Sequence, residues 1–167
     1  LTTSCKKRFP CIKAKSDTTE ETRVVSNFSK VDLKIAADVY VTQDTTIDVD
    51  IVRIVASENV LEHIETNVSS GILEIESKRC IRGDGDIKVY ITTNDLLGVA
   101  ISGSGDVIGQ NKIVTSSMDI DISGSGGVTM DLKSSSLEMH ISGSGDMDIS
   151  GETTRTDISI SGSGDID

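Results

Sequence analysis

The stretch that decides the fold is Ile141-Ser-Gly-Ser-Gly-Asp-Met147, because the chain carries near-copies of it. Three copies begin at Ile101, Ile122 and Ile160, and a fifth stretch with the same spacing of isoleucine, two glycines and an apolar residue begins at Ile81. The starting positions are almost evenly spaced along the chain. Five copies with a period of about 20 residues are typical of proteins in which each repeat forms one unit that stacks on the next.

Between the copies, apolar and polar residues alternate, as in Met118-Asp-Ile-Asp-Ile122 and Leu137-Glu-Met-His-Ile141. This alternation indicates β-strands with one buried face. The composition agrees, since the 167 residues include 21 isoleucines and 15 valines but only 8 leucines and 4 aromatic residues. The glycine pairs predict tight turns in which positive backbone φ angles favour glycine. These turn glycines are Gly83, Gly85, Gly103, Gly105, Gly124, Gly126, Gly143, Gly145, Gly162 and Gly164.

Together these patterns predict an all-β solenoid, a single parallel β-helix with coils of about 20 residues. We expect residues 1–23 to be a tether and residues 24–167 to be the β-helix domain, with the glycine repeats at 81–167. A solenoid that stops at Asp167 exposes an apolar edge, which either further chain or a second copy of the protein would cover. The residues expected to face inward are Ile87, Val89, Val107, Ile120, Ile122, Val128, Met139, Ile141, Met147, Ile149, Ile158 and Ile160.

Charge is distributed unevenly along a chain whose net charge is −11. Residues 84–167 contain 14 acidic and 4 basic residues, net −10, whereas residues 1–83 contain 13 acidic and 12 basic residues, net −1. An acidic half repels phosphate backbones and anionic lipid, so we expect no nucleic-acid partner. No apolar run is long enough to span a bilayer, so we expect no transmembrane helix.

The sequence contains no convincing catalytic constellation. His63 and His140 are its two histidines, and neither accompanies a serine or cysteine in a nucleophile motif. The charged stripe from Arg82 to Lys88 suggests a calcium-dependent lyase only by analogy with other β-helix proteins. The Gly-Ser-Gly turns lack the following helix that a phosphate-binding loop needs. We therefore expect no catalytic residue and no cofactor.

A column of aspartates is the one candidate for metal binding. Asp86, Asp106, Asp146 and Asp165 occupy the same position in their copies, and Gly127 takes that position in the remaining copy. Stacked coils would place neighbouring carboxylates about 5 Å apart, a spacing that repels unless a cation lies between them. One interpretation is a calcium column. The other, which we prefer, is that each carboxylate accepts hydrogen bonds from turn amides.

Several segments resemble, in order, the putative auto-transporter adhesin, head GIN domain family of Bacteroidetes secreted proteins. They are residues 24–28, 31–43, 64–66 and 73–75, followed by the Ile-Ser-Gly-Ser-Gly-Asp copies. The resemblance spans roughly residues 20–167. It implies a right-handed parallel β-helix similar to the pectin-lyase type, a location at the cell surface or in the periplasm, and a role in adhesion. The family carries no agreed catalytic residues to transfer.

Two classes of function fit these expectations. The first is a non-enzymatic exported module that binds an unknown protein or glycan on a cell surface, and the open end of the solenoid could then also support a homo-oligomer. The alternative is a carbohydrate-binding or polysaccharide-active β-helix protein. Only Tyr40 and Tyr90 are available to stack on sugar rings, which is too few for a sugar platform, so we prefer the first class.

The three cysteines predict an anchor and a disulfide. Cys5 follows Leu1-Thr-Thr-Ser, which looks like the end of a lipoprotein signal, so Cys5 is either lipidated, anchoring the protein to the outer membrane, or a free cysteine in a tail. Cys11 and Cys80 occur in the matching contexts Cys-Ile-Lys and Cys-Ile-Arg. Because exported proteins usually bridge an even pair, we predict a Cys11–Cys80 disulfide, which would stabilise the fold by roughly 4 kcal/mol. Zinc fits less well, since the histidines lack ligand spacing.

Overall fold

The structure is a computed structural model that describes residues 10–15, 17–25, 27–82 and 86–167. In this part of the chain the secondary structure is almost entirely β, with a single helical turn, α1, at Glu58–Leu61. The strands are β1 (Ile12–Lys13), β2 (Thr18–Val25), β3 (Lys30–Leu33), β4 (Asp38–Gln43), β5 (Asp50–Ser57), β6 (Ile64–Ser69), β7 (Ile72–Ser77), β8 (Ile81–Arg82), β9 (Lys88–Thr93), β10 (Gly98–Ile101), β11 (Asp106–Gly109), β12 (Ile113–Val114), β13 (Ser117–Ile122), β14 (Val128–Ile141) and β15 (Met147–Ile160).

A 13-stranded sheet makes up the body of the molecule, and β1 pairs with β8 in a separate two-stranded sheet. Along the large sheet the strands follow the order β2-β5-β9-β4-β11-β14-β13-β10-β3-β7-β6, while β12 and β15 pair with β14 beside that path. The long strand β14 belongs to both halves of the path, since its first residues pair with β11 and its last residues pair with β13. The sheet therefore bends at β14 and wraps around a shared interior.

The strands of this sheet are of mixed direction. Successive repeats pair in parallel and in register: Val99 lies opposite Ile120, Ile120 opposite Met139, and Met139 opposite Ile158. The earlier part of the chain differs, because β5 is antiparallel to both β2 and β9, and β6 is antiparallel to β7. Equivalent residues of the repeats thus form columns across the sheet. Before the repeats the directions are mixed, since β3 and β4 pair in parallel with their neighbours whereas β2, β5 and β6 run opposite to theirs.

The expectation of a right-handed, pectin-lyase-like parallel β-helix is wrong. The mixed sheet is nearly closed and barrel-like, because β2 and β6, at the two ends of the strand path, approach each other. Arg23 on β2 bridges them, donating from Nη1 to the backbone oxygen of Ile64 at 3.0 Å and to Oγ1 of Thr66 at 3.1 Å on β6. The antiparallel strands that lead to this seam lie before the glycine repeats, where no periodic signal exists to indicate strand direction.

The interior of the sheet is filled by the apolar residues of the alternating pattern, including Val31, Val39 and Val89, which are fully buried. Of the twelve residues expected to face inward, nine are buried. Ile158 and Ile160 instead remain 52% and 46% exposed, because among the described residues this end of β15 pairs only with β14. The one bridge on the other side of β15 lies at its start, between Met147 and Ile166. The nine are Ile87, Val89, Val107, Ile120, Ile122, Val128, Met139, Ile141 and Met147.

The glycines of the repeats are required for close stacking, and the expected positive φ angles are absent from their described members. Within the described residues, the glycines with positive φ are Gly71 and Gly151, which both lie outside the Gly-Ser-Gly turns. A Cβ on Gly124 would lie under 3.0 Å from the carbonyl oxygen of Gly103, and a Cβ on Gly143 would meet the carbonyl oxygen of Gly124 in the same way. Glycine is therefore the residue that lets one turn lie directly against the previous one.

The N-terminal part of the described chain belongs to the folded unit, and β1 and most of β2 lie within residues 1–23, the stretch assigned above to a tether. Two side chains at the start of α1 hold the segment around β1 in place. Ser57 donates from Oγ to the backbone oxygen of Lys15 at 2.6 Å, and Asn59 donates from Nδ2 to the backbone oxygen of Lys13 at 3.0 Å. These bonds satisfy backbone groups of a segment whose pairing with β8 is short.

Candidate binding surface

Cys11 and Cys80 form a disulfide between the segments that contain β1 and β8. The backbone N–H of Ile12 also donates to the backbone oxygen of Cys80 at 2.8 Å, so the bridge and the small sheet support each other. The two cysteines are 69 residues apart, and the loop they close contains every strand from β2 to β7. The disulfide therefore ties the start of the described chain to the region just before the repeats.

The lipoprotein-like start of the sequence, with Cys5, and the glycine pair Gly83 and Gly85 of the first repeat fall outside the described part of the chain. Lipidation of Cys5 and the turn role of this glycine pair stay predictions.

The aspartate column bonds to the backbone of the neighbouring repeat. Asp106 accepts the N–H of Gly127 at 2.7 Å, and Asp146 accepts the N–H of Asp165 at 3.0 Å, each through Oδ1. Asp86, in the first repeat, is exposed. Among the described residues, no three histidine, cysteine or acidic side chains are grouped so that they could hold a metal ion. The hydrogen bonds of Asp106 and Asp146 are those that the turn-amide interpretation predicts.

The two tyrosines stack on each other on the outside of the sheet. Tyr40 and Tyr90 are directly opposite on β4 and β9, with ring centroids 5.0 Å apart and planes inclined by 17°. The guanidinium carbon of Arg53, on the other side, lies 4.1 Å from the centroid of Tyr90, and Arg53 also pairs with Glu20 at 3.1 Å. Both faces of Tyr90 therefore contact the protein, and this ring is not available to stack on a sugar.

A second outer surface, which we call the acidic face, is formed by outward side chains of β3, β10, β13 and β14. Two rows of residues cross these strands in register, each row made of residues directly opposite one another. The first row is Lys30, Gly98, Asp119 and Glu138, and the second row is Asp32, Ala100, Asp121 and His140.

In the first row a lysine crosses the middle strand to reach an aspartate. Lys30 Nζ lies 2.8 Å from Oδ2 of Asp119, although β10 separates their strands. Gly98 makes this path possible, because a Cβ there would lie only 3.1 Å from Cδ of Lys30. The ammonium group is thus held above the position on β10 that carries no side chain.

In the second row, Asp32 and Asp121 lie on either side of Ala100. They line a depression of about 180 Å³, together with residues of the first row. Burial raises the pKa of Asp121, and the neighbouring carboxylate of Asp119 raises it further. On the other side, Lys34 lies 3.6 Å from Asp32 and closer, at 3.1 Å, to Glu74.

His140 closes the second row on β14. Its Nε2 lies 3.0 Å from Oε1 of Glu138, and this hydrogen bond raises the pKa of the imidazole. Unprotonated, the ring leaves the surface strongly acidic, and protonated it offsets part of that charge. The arrangement is suited to binding cationic groups, with a strength that depends on pH.

Sequence reasoning missed the acidic face, although part of the signal was present. Asp119, Asp121, Glu138 and His140 occupy alternate positions of two adjacent repeats, so the alternation places them on one side of neighbouring strands. The remaining members could not be found this way. Lys30 is 89 residues away from its partner Asp119 and lies in a segment without repeats.

The mixed, nearly closed sheet with charged outer rows defines an all-β domain that presents side chains from adjacent strands to solvent. The chain belongs to the family described as putative auto-transporter adhesin, head GIN domain, whose model matches residues 27–167. This confirms the resemblance found in the sequence. The family is described as an adhesin domain, and the three solved structures given below are named as putative adhesins or a putative lipid binding protein.

Three solved structures have the same fold. A putative lipid binding protein from Parabacteroides distasonis ATCC 8503 matches with a TM-score of 0.76 and 18% identity, over 94% of this chain and 76% of that one. A putative adhesin from the same organism gives 0.68 and 18%, over 94% and 75% of the two chains. A putative adhesin from Bacteroides fragilis NCTC 9343 gives 0.62 and 18%, over 93% and 98%. A search of curated proteins gave no match.

Helices in the described residues are too short and too polar to cross a membrane.

Proposed function

We propose that this chain is a non-enzymatic adhesion module that acts outside the cell and binds its partner through the outside of its sheet. The acidic face is the observation that carries this proposal. Continued onto the flanking strands β7 and β15, its two rows contain six carboxylates, one lysine, Lys30, and one histidine, His140. Lys34 lies beside the rows, against Asp32 and Glu74. The carboxylates belong to Glu74, Asp32, Asp119, Asp121, Glu138 and Asp157.

Rigid backing makes this face suitable for recognition. The residues that alternate with its charged side chains, such as Val99, Ile120 and Met139, are buried in the core. The outward side chains therefore project from a backbone that is fixed by packing and by strand pairing on both sides. A preorganised surface loses little conformational freedom on binding, which favours affinity.

Export is supported by the disulfide and by the family. Disulfides persist in oxidising compartments such as the periplasm and the cell surface. The Cys11–Cys80 disulfide therefore fits a protein that is exported from the cytoplasm. The adhesin description of the family points to the same location. We propose that lipidation of Cys5 holds the domain at the outer membrane, with the basic residues from Lys6 to Arg8 next to the lipid surface.

A carbohydrate-binding role has less support. The tyrosine pair was the candidate platform for sugars, and Tyr90 is covered by Tyr40 on one face and by Arg53 on the other. A neutral sugar also gains little from a surface that is dominated by carboxylates.

A binding screen with the intact protein tests the proposed function. Immobilised wild-type protein, an Asp119→Asn/Glu138→Gln variant and an Asp48→Asn/Asp148→Asn control are exposed to cells, extracellular-matrix proteins and a glycan panel. The control removes two exposed acids away from the acidic face and so matches the change in net charge. We expect saturable binding to cells or matrix proteins that is weakened by the first variant only. Absence of binding, or equal weakening in both variants, would contradict the proposal.

A further inference from the structure

We propose that the basic side chains of the small two-stranded sheet contact the anionic headgroups of a lipid bilayer and turn this end of the molecule toward the membrane. The residues are Lys13 on β1, Arg82 on β8 and Lys15 just after β1, and we call them the basic edge. The inference rests on the proposed function and deepens it, because it gives an orientation to a domain that is held at a membrane.

The alternation of the two strands turns the basic edge outward. Ile12 and Ile81 lie directly opposite each other and pack against the core, so Lys13 and Arg82, the next residue on each strand, point away from it. Lys13, Lys15 and Arg82 are all exposed. Of the described residues, none forms an ion pair with these three. Their charge is therefore available to an anion outside the protein.

The disulfide holds two of these like charges side by side. Lys13 and Arg82 are directly opposite on parallel strands, about 4.8 Å apart, and like charges in this position weaken the pairing of strands. The covalent bond between Cys11 and Cys80 lies immediately before this pairing and keeps the strands together. Anionic headgroups against both cations relieve their repulsion, so a negatively charged surface suits this pair.

The length of chain after Cys5 brings the basic edge close to a bilayer. Cys11 is the sixth residue after Cys5, and the disulfide fixes it to the fold. A lipid on Cys5 therefore holds β1 within about 20 Å of the membrane surface, at about 3.3–3.6 Å per residue. Lys6, Lys7 and Arg8 lie on this short connection, and anionic headgroups attract them as well.

The distribution of charge along the chain favours the same orientation. Residues 84–167 carry a net charge of −10, so an anionic surface repels the repeats while it attracts the basic edge, over a range of about 8 Å at physiological ionic strength. Acids also lie near α1, where the backbone N–H of Glu58 donates to the backbone oxygen of Asp17, so the contact is centred on Lys13 and Arg82. The acidic face then stays free for a partner.

The first experiment measures sedimentation of the full chain with vesicles. A Cys5→Ser chain, which cannot carry a lipid, is mixed with vesicles of phosphatidylcholine alone or of an equal mixture of phosphatidylcholine and phosphatidylglycerol. We expect binding to the mixed vesicles only, and loss of that binding at high salt. Binding to both kinds of vesicle, or to neither, would overturn the proposal. Release by inorganic phosphate, but not by chloride at the same ionic strength, would assign a phosphate site instead and would also overturn it.

Two variants in the same background test which cations make the contact. Lys13→Gln/Arg82→Gln should lower the partition coefficient on mixed vesicles about tenfold to thirtyfold, the value of two basic side chains near an anionic surface. Lys112→Gln/Lys133→Gln makes the same change in net charge at lysines that pair with acids in the repeats, and it should lower binding less than about twofold. Equal weakening in both variants would show attraction by net charge alone, and the proposal would be wrong.

A second experiment reads the orientation directly. The thiol of Cys5 is coupled to a maleimide lipid in a nanodisc that also contains a paramagnetic lipid, and amide signals of the ¹⁵N-labelled chain are recorded. We expect broadening at residues 12–13 and 81–82 that is stronger in discs with phosphatidylglycerol than in discs of phosphatidylcholine, and little broadening in β13 and β14. Equal broadening in both lipids would mean that the connection alone sets the distance, and it would contradict the proposal.

The variants also separate this inference from the proposed function. If Lys13→Gln/Arg82→Gln binds mixed vesicles as tightly as its parent while cells bind the wild type, adhesion stands and the membrane contact is rejected. If the vesicles behave as expected while the screen finds no cell or matrix partner, the membrane contact stands and the adhesion proposal fails.

Discussion

The repeat region, residues 98–160, and the earlier region, residues 18–77, contain the same kind of alternating strands but organise them differently. In the repeats every strand pairs in parallel with its equivalent one period away, so equivalent residues form straight columns. In the earlier region parallel and antiparallel pairs are mixed, and the antiparallel pairs β2–β5 and β6–β7, together with the Arg23 side chain, bring the two ends of the sheet path together. The difference teaches that repetition sets register, whereas closure depends on contacts that occur once.

Loss of the disulfide should lower the free energy of unfolding more than any other change proposed here. It should loosen the earlier region more than the repeats. Replacing Cys11 and Cys80 by alanine removes the link that closes the loop containing β2 to β7. We expect a loss of about 4 kcal/mol in the free energy of unfolding, measured by chemical denaturation. Amide hydrogen exchange should accelerate in β2 and β5 more than in β13 and β14. Uniform acceleration throughout the sheet would contradict the division into two regions.

Two isoleucines from one column show how much stacking contributes in the repeats. Ile141 is only 1% exposed, whereas Ile160, its partner on β15, is 46% exposed. Ile141→Ala should therefore cost about 3 kcal/mol and Ile160→Ala less than about 1 kcal/mol in the free energy of unfolding. Equal losses would mean that the end of the column at β15 is covered in solution.

Two glycines separate stacking from backbone conformation. Gly143→Ala places a Cβ against the carbonyl oxygen of Gly124, which belongs to backbone and cannot move aside, so we expect a loss of about 2–3 kcal/mol. Gly71→Ala meets no atom within 4 Å but has a φ of +80°, so about 1 kcal/mol is expected. Thermal denaturation of both variants tests this order, and a larger loss for Gly71→Ala would refute the stacking role of the repeat glycines.

The seam between β2 and β6 should give the smallest effect. Arg23→Met removes the hydrogen bonds to the backbone oxygen of Ile64 and to Thr66, and we expect a loss of about 1–2 kcal/mol. Arg53→Met serves as the control, since Arg53 covers Tyr90 and pairs with an exposed glutamate without spanning the seam; less than about 1 kcal/mol is expected. Urea denaturation of both variants provides the measurement. If Arg23→Met is as stable as wild type, Arg23 does not hold the sheet closed.

The sequence predicted the pairing of the repeats, but it did not predict the direction of strands that lie outside them. The nearly constant period of the glycine copies places equivalent residues of the repeats opposite one another, as Ile120 and Met139 are in the structure. It could not predict that β5 runs antiparallel to β2 and β9, because an alternating pattern indicates a strand without indicating its neighbour or direction. The error of extending parallel coils through residues 24–80 followed directly from this.

The acidic face was also predictable only where its residues belong to the repeats. The alternation of apolar and polar residues along the repeats places Asp121 and His140 on the outside of adjacent strands. Asp32 and Lys30 come from β3, which pairs with β10 although six other strands lie between them in the sequence, and no local pattern reports that pairing. The Cys11–Cys80 pair could be named because the two contexts match in sequence, a signal that does not depend on the strand path.

Chemical-shift mapping tests most directly the claim that the repeats carry the binding face while the earlier region closes the sheet. A blocked peptide of alternating lysine and serine, used as a cationic probe of the acidic face, is titrated into ¹⁵N-labelled protein, and amide shifts are followed along the whole chain. We expect the largest changes at residues 98–101 and 117–122, on β10 and β13, with little change on β2 and β5. Largest changes around the aspartate column, at Asp106 and Asp146, or spread evenly over the acidic residues, would contradict the account.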